Sequence, residues 1–258
     1  IQKVVIPESV TSIAGHAFQG CYGLTEVQMA AKLTSIEAYT FADCSQLTSF
    51  TIPEGVTSIG DSAFNGCQAL ERIILPESVT DIGPYAFAFC YNLRSITLPS
   101  QLTYISSNML NSCEALTSIQ IPQTVTRIEG YAFSGCSGLT EITIPAGVSV
   151  IGSEAFARCG GLTDVVIPNG VTHLAFGLFD DCYNLSSVIL PDSLAEIGDA
   201  AFRMCPSLEN ISIPDGVTYI GSEAFRMCPS LSTITLPDSV TRIGSWIFSD
   251  CIRLEEVV

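Results

Sequence analysis

The residues with the greatest chemical potential in this sequence are its cysteines. Eleven of them recur every 23 residues without an insertion or a deletion: Cys21, Cys44, Cys67, Cys90, Cys113, Cys136, Cys159, Cys182, Cys205, Cys228 and Cys251. Thiols at this density are able to form disulfides, bind zinc or act as nucleophiles. The odd count argues against complete disulfide pairing, and the absence of a C-x-x-C pair argues against zinc or thioredoxin chemistry. We therefore predict reduced, buried thiols that pack as small hydrophobic side chains.

Other catalytic constellations are missing from the sequence. The only two histidines, His16 and His173, lie about seven repeats apart, too far to share a metal ion or to act as a catalytic pair. No serine stands in a nucleophile elbow, and no glycine-rich loop precedes a long helix. The sequence therefore predicts a protein that is not an enzyme and that has no cofactor.

Acidic residues recur in one turn of the repeat. Asp192, Asp215 and Asp238 occupy consecutive repeats, as do Glu54 and Glu77. Like charges about 4.8 Å apart repel each other, and a calcium ion would relieve the repulsion. A solvated acidic edge is the simpler interpretation, and the calcium alternative stays open at this stage.

The overall charge excludes several classes of partner. The chain has 26 acidic and 10 basic residues, a net charge of −16. Nucleic acids and anionic membranes both require clustered lysine and arginine. No apolar run reaches membrane-spanning length, so we expect neither nucleic-acid binding nor membrane insertion. Because the sequence begins at Ile1 within a repeat and also stops within one, we expect it to be a fragment of a longer protein.

The cysteine spacing belongs to a repeat that covers residues 1–258 as a single array of about eleven units. Each unit opens with a leucine such as Leu139, followed by alternating apolar residues such as Ile142 and Ile144. This alternation predicts one strand per unit with one buried face, stacked into a parallel sheet. After the strand come a proline, an extended Val-Thr-x-Ile segment and a glycine corner. A short helical turn that carries Ala-Phe-x-x-Cys follows, for example over residues 222–227. A fixed period of this length indicates a solenoid. Because each unit is predicted to contain a strand and a short helical turn, we expect a solenoid of the α/β type. In such a column the cysteines of adjacent coils point the same way, which fits a disulfide poorly.

The consensus Leu-x-x-Ile-x-Ile-Pro-x-x-Val-x-x-Ile-Gly-x-x-Ala-Phe-x-x-Cys-x-x resembles the BspA-type, or Treponema-type, leucine-rich repeat family. The resemblance covers the whole chain and is clearest at residues 139–161, 47–69 and 208–230. It implies a right-handed curved solenoid with the parallel sheet on its concave side. It also implies surface-displayed or secreted proteins of host-associated bacteria and some protists, several of which bind host matrix proteins or cells. Residues 29–41, 100–113 and 171–182 depart from the pattern but keep the apolar columns filled, so we expect local repacking there.

Any binding function is expected on the outward positions of the strands, because rigid neighbouring strands present a broad surface. Most of these positions are short polar or acidic residues, and a few are apolar. The candidate partner-binding residues are Arg72, Ile74, Asp164, Val166, Ser187 and Ile189. They predict a protein-binding or adhesion module, and the family resemblance implies a host matrix or cell-surface protein as its partner. A structural spacer that displays another domain is the alternative.

Carbohydrate binding is a weaker prediction, because no aromatic residue lies on the strand face. Tyr39, Tyr85, Tyr131 and Trp246 share one column with His16 elsewhere in the repeat. Since they stand in alternate or distant repeats, they do not predict one continuous stacking platform.

Overall fold

The computed structural model describes residues 1–29 and 32–257. Ala30, which replaces the proline of its repeat, lies outside these residues. Within them the chain forms nineteen short strands and no helix. In chain order they are β1 (Lys3–Ile6), β2 (Glu26–Met29), β3 (Ser35–Ile36), β4 (Ser49–Thr51), β5 (Ser58–Ile59), β6 (Arg72–Ile74), β7 (Asp81–Ile82), β8 (Ser95–Thr97), β9 (Tyr104–Ile105), β10 (Arg127–Ile128), β11 (Val150–Ile151), β12 (Asp164–Val166), β13 (His173–Leu174), β14 (Ser187–Ile189), β15 (Glu196–Ile197), β16 (Tyr219–Ile220), β17 (Thr233–Ile234), β18 (Arg242–Ile243) and β19 (Glu256–Val257).

The strands form two columns. Within each column, every pairing of a strand with the next coil is parallel. In the first column, which follows the repeat leucine, Val165 pairs with Val188 one coil further on. In the second column, which follows the proline turn, Ile59 pairs with Ile82. The chain is therefore a parallel β-solenoid, in which one 23-residue repeat makes one coil. The extended return segment is confirmed. The predicted first strand forms in most coils, but residues 119–121, 142–144 and 211–213 form no strand, apart from an isolated bridge between Gln120 and Thr143.

In ten coils a proline follows the first extended segment and begins a tight turn. Its carbonyl oxygen accepts a hydrogen bond from the amide three residues later, as from Val148 to Pro145 at 3.0 Å. Proline has no amide to offer to the strand ladder, so it suits the residue where pairing stops. The turn redirects the chain into the second strand column.

The predicted helical turn is wrong. Two residues of this segment, five residues and one residue before each cysteine, have positive φ in every coil, for example Tyr85 at 56° and Phe89 at 59°. Their amides, and that of the residue midway between them, donate to the neighbouring coil rather than back along the chain. The Phe87 amide, for example, donates to the Met109 carbonyl oxygen at 3.0 Å. Because these hydrogen bonds run between coils, the segment cannot make the bonds of an α-helix, and residues 222–227 follow the same pattern. The fold is thus a β-solenoid without helices in the described residues, rather than an α/β solenoid.

The glycines at the corner of the repeat allow close contact between the backbones of adjacent coils. A Cβ atom on Gly60 would lie 2.5 Å from the Ala38 amide nitrogen, and one on Gly83 would lie 2.6 Å from that of Asp61. Neither glycine has positive φ. Glycine fits these two corners because a side chain there would collide with the backbone of the preceding coil.

The core consists of stacked columns of like residues. Phenylalanine rings lie face to face between coils, with centroids 5.5 Å apart for Phe133 and Phe156 and 5.7 Å apart for Phe156 and Phe179. Leu110 takes the phenylalanine position of its coil and is fully buried, as are Met109 beside it and Phe179 in the third irregular repeat. The expectation that the irregular repeats keep the core columns filled is confirmed at these positions.

Candidate functional site

On most strands of the first column, exposed side chains flank a buried one. We call these outward positions the strand face. On β12 and β14 the middle residues Val165 and Val188 are buried, whereas Val166 and Ile189 are 57% and 60% exposed. The alternation follows from the two-residue period of a strand.

Four of the six predicted site residues come together on the strand face. Asp164 pairs with Ser187, and Val166 pairs with Ile189, so the four side chains form a two-by-two patch on paired strands. The other two, Arg72 and Ile74, lie on β6, four coils away. Ile74 is 54% exposed there. The structure thus places one apolar pair beside a polar pair, and a separate exposed isoleucine at a distance.

The strand ladder is interrupted next to this patch. Among the described residues, the segment 141–144 makes only an isolated bridge between Gln120 and Thr143 and is not paired with β12. A groove of about 440 Å³ opens there, lined by Ile142, Ile144, Val166 and Pro168 among others. The patch therefore borders a recess with apolar walls, which the sequence did not predict.

The cysteines are not a reactive site. All eleven are free, and ten are buried, with Cys21 in the first coil partly exposed. Burial raises the pKa of Cys90 and Cys136 to about 12. The prediction that the thiols are buried is confirmed for these ten.

The acidic turn column points into solvent. Asp192, Asp215 and Asp238 are exposed, as are Glu54 and Glu77. The Glu77 carboxylate accepts hydrogen bonds from the Ser100 amide at 2.9 Å and from its hydroxyl at 2.8 Å, and these bonds lower the pKa of Glu77. Across the part of the chain that the structure describes, no group of three or more His, Cys, Asp or Glu residues is arranged to hold a metal ion.

A second groove, of about 630 Å³, lies away from the strand face. It lies between the two columns of residues with positive φ, five positions and one position before each cysteine. Its rims carry Tyr85 and Tyr131 on one side and Phe89 and Arg158 on the other, with Asn108 between the tyrosines. Tyr85, Tyr131 and Phe89 are 39%, 38% and 37% exposed. We call this feature the tyrosine groove. Two members of the aromatic column, Tyr85 and Tyr131, thus border a single groove although they stand in alternate coils.

Hydrogen bonds order the side chains of the tyrosine groove. The Tyr131 hydroxyl donates to Glu154 Oε1 at 2.9 Å, and this bond raises the pKa of Tyr131. On the floor, Asn111 Nδ2 donates to Asn108 Oδ1 at 3.0 Å, and the Ser112 hydroxyl donates to Asn111 Oδ1 at 2.7 Å. Sequence reasoning missed this groove, although a signal was present: Tyr85 and Tyr131 occupy the same column two repeats apart.

In the described residues, no helix is long and apolar enough to cross a membrane. The stacked coils, leucine column and parallel ladders define a solenoid of the leucine-rich repeat class. Residues 1–114, 57–185 and 174–258 match the BspA type leucine rich repeat region, with six copies in all. The chain belongs to this family, which confirms the resemblance seen in the sequence.

Solved structures show the same architecture. The chain is similar to a leucine-rich repeat protein from Bacteroides ovatus, at 30% identity and a TM-score of 0.75, over 100% of this chain and 78% of that one. It is also similar to a leucine-rich repeat protein from Eubacterium ventriosum, at 26% identity and a TM-score of 0.60, over 97% of this chain and 82% of that one. The pneumococcal vaccine antigen PcpA shares the fold at 19% identity and a TM-score of 0.60, over 99% of this chain and 67% of that one. The sequence has no significant match among curated proteins.

Proposed function

We propose that the chain is a non-enzymatic protein-binding module of a bacterial surface or secreted protein, and that it contacts its partner through the strand face. The observation that carries this proposal is the pairing of Val166 with Ile189 on adjacent strands, each more than half exposed. Exposed apolar side chains are ordinary when single. Here two of them adjoin on a rigid ladder and border a groove of about 440 Å³.

The surroundings of the patch fit a protein interface. Asp164 and Ser187 supply hydrogen-bonding groups beside the apolar pair, as in an interface with an apolar centre and a polar rim. An apolar side chain of the partner would enter the groove beside Ile142 and Ile144, both of which form part of the core. Burying such an anchor in a preformed recess is the usual origin of a binding hot spot.

The partner class comes from the family resemblance, which implies host matrix or cell-surface proteins. The experiment is surface plasmon resonance of the chain against purified fibronectin, laminin and collagen. We expect saturable binding to at least one of them, and a loss of affinity of about tenfold or more in the variant V166D/I189D, because two charges would be buried at the contact.

The matched control is T97D/Q120D, which places the same charges at the equivalent exposed positions of two adjacent coils, three coils away. It should bind as the unmodified chain does. A third variant, Ile74→Asp, tests whether the interface extends as far as Arg72 and Ile74 on β6. Equal binding by V166D/I189D and the unmodified chain would exclude the strand-face patch, and no binding to any matrix protein would favour the spacer function.

A further inference from the structure

The tyrosine groove lies apart from the strand face and has its own unexplained feature. Every residue five positions before a cysteine has φ between 54° and 65°, including Gly177 and Asn108. Left-handed backbone is readily adopted by glycine and tolerated by asparagine, whereas a bulky side chain is uncommon there. Tyr39, Tyr85 and Tyr131 nevertheless occupy this column, each two coils from the next. Such a departure from the backbone's preference is a reason to look for function.

The tyrosine groove extends along the solenoid axis, because its lining residues come from four successive coils. Adjacent coils are about 4.8 Å apart, so Tyr85 and Tyr131 stand roughly 10 Å apart along this axis. Asn108 occupies the rim between them and is only 8% exposed. The groove therefore alternates an aromatic ring, a planar amide and a second aromatic ring.

We infer that the tyrosine groove binds an uncharged β-1,4-linked hexopyranose chain laid along the solenoid axis. In such a chain the sugar rings alternate in orientation, so the same face recurs at every disaccharide, a length close to two coils. Tyr85 and Tyr131 stack on alternate sugars through their apolar faces, as aromatic rings with a polar tip are suited to do.

The polar groups of the groove match the hydroxyls of the intervening sugar. An asparagine amide has two N–H donors in addition to its acceptor. Since Asn108 uses its Oδ1 to accept from Asn111, its amide nitrogen is able to donate to a hydroxyl group. Glu154 holds the Tyr131 hydroxyl, which fixes the direction of that ring before the ligand binds.

Charge and polarity favour a neutral sugar over the other extended ligands. Glu154 and Arg158 carry opposite charges on the same groove, so its net charge is close to zero. A polyproline segment would also repeat at about 9 Å. It requires apolar slots between its aromatic contacts, whereas here the intervening positions are Asn108, Asn111 and Ser134.

The test is isothermal titration calorimetry of the chain with cellohexaose and chitohexaose, with maltohexaose and a proline decapeptide as comparison probes. We expect saturable binding of at least one β-linked hexamer and weaker binding of maltohexaose, whose α-linked chain coils. No binding of either β-linked hexamer, or tighter binding of maltohexaose or of the proline peptide, would overturn the proposal.

The decisive variant is Y85N/Y131N. Asparagine tolerates left-handed backbone better than tyrosine does, so the melting temperature of this variant should be unchanged or higher. The affinity of the variant for the sugar should fall by about tenfold or more, because two stacking contacts are lost. Trp246→Asn is the matched control: Trp246 has the same backbone conformation, but the residue two coils before it is Ala200, so sugar affinity should not change. Undiminished sugar binding by Y85N/Y131N would contradict the proposal.

The two surfaces are tested independently. V166D/I189D should keep its sugar affinity, and Y85N/Y131N should keep its binding to the matrix protein. Failure of one proposal therefore leaves the other standing.

Discussion

The thiol of Cys159 donates a hydrogen bond to the carbonyl oxygen of Phe133 in the preceding coil, with an S···O distance of 3.1 Å. The same oxygen accepts the Cys136 amide at 3.0 Å, so both of its lone pairs are used. Equivalent thiol bonds recur from Cys44 to Cys251. The cysteine column therefore links each coil to the one before it, in addition to filling the core.

This bond predicts an order of stability for substitutions at Cys159. Cys159→Ala removes both the sulfur contacts and the donor, and should lower the free energy of unfolding by about 1–3 kcal/mol. Cys159→Ser keeps a donor for the Phe133 carbonyl oxygen and should lose less. Urea unfolding followed by circular dichroism gives the comparison. Cys21→Ala in the first coil is the control, and it should lower the free energy of unfolding least because Cys21 is partly exposed. A serine variant less stable than the alanine variant would mean that the cost of burying a hydroxyl group exceeds the gain from its hydrogen bond, which would contradict this account.

The buried thiols also predict a loss of stability at alkaline pH. Burial raises the pKa of Cys90 and Cys136 from the ordinary 9.0 to about 12. Because the folded state holds the proton more tightly than the unfolded state, their contribution is complete below about pH 9 and is lost as the pH rises towards 12. Each such thiol should lower the free energy of unfolding by about 1.4 kcal/mol for every pH unit within this window.

The measurement is the urea midpoint at intervals from pH 7 to pH 11. We expect it to be constant up to about pH 9 and then to fall, since the unfolded thiols ionise first. The variant Cys90→Ala, compared with the unmodified chain, corrects for the tyrosines that ionise in the same range, and its fall should be shallower. A parallel fall in the two proteins would rule out Cys90 as a source of the effect.

Much of this fold follows from the sequence because the core columns repeat without a change of phase. The leucine, isoleucine, phenylalanine and cysteine positions each recur every 23 residues, so a parallel stack with those residues inside is the arrangement that buries all of them. The same register predicted that Val166 and Ile189 would be neighbours, and the structure pairs them. The groove beside them depends on where the ladder breaks at residues 141–144, and no residue type marks that break.

The left-handed segments were not predictable from local sequence. Ala-Phe-x-x-Cys has the residue spacing of one face of a helix. Tyrosine, as at position 85, is a residue type that rarely adopts positive φ. The conformation is set by hydrogen bonds to the next coil, such as that from the Tyr85 amide to the Ser107 carbonyl oxygen at 3.0 Å. Because the partner lies 22 residues away in sequence, a local pattern does not reveal it, and the tyrosine groove that depends on it was missed as well.

The close approach of the coils at the corner gives the last prediction. A Cβ atom on Gly83 would lie 2.6 Å from the Asp61 amide nitrogen and 2.8 Å from the Gly60 carbonyl carbon. Both neighbours are backbone atoms, so Gly83→Ala must push two coils apart, and we expect it to cost about 1–3 kcal/mol of stability. Gly147→Ala is the matched control, since its Cβ atom would lie 3.7 Å from the nearest atom and its φ is not positive. That variant should be neutral or stabilised by up to about 1 kcal/mol, because alanine restricts the unfolded chain. Thermal unfolding of the two variants tests the difference, and equal melting temperatures would show that the corner glycine serves some purpose other than close contact between coils.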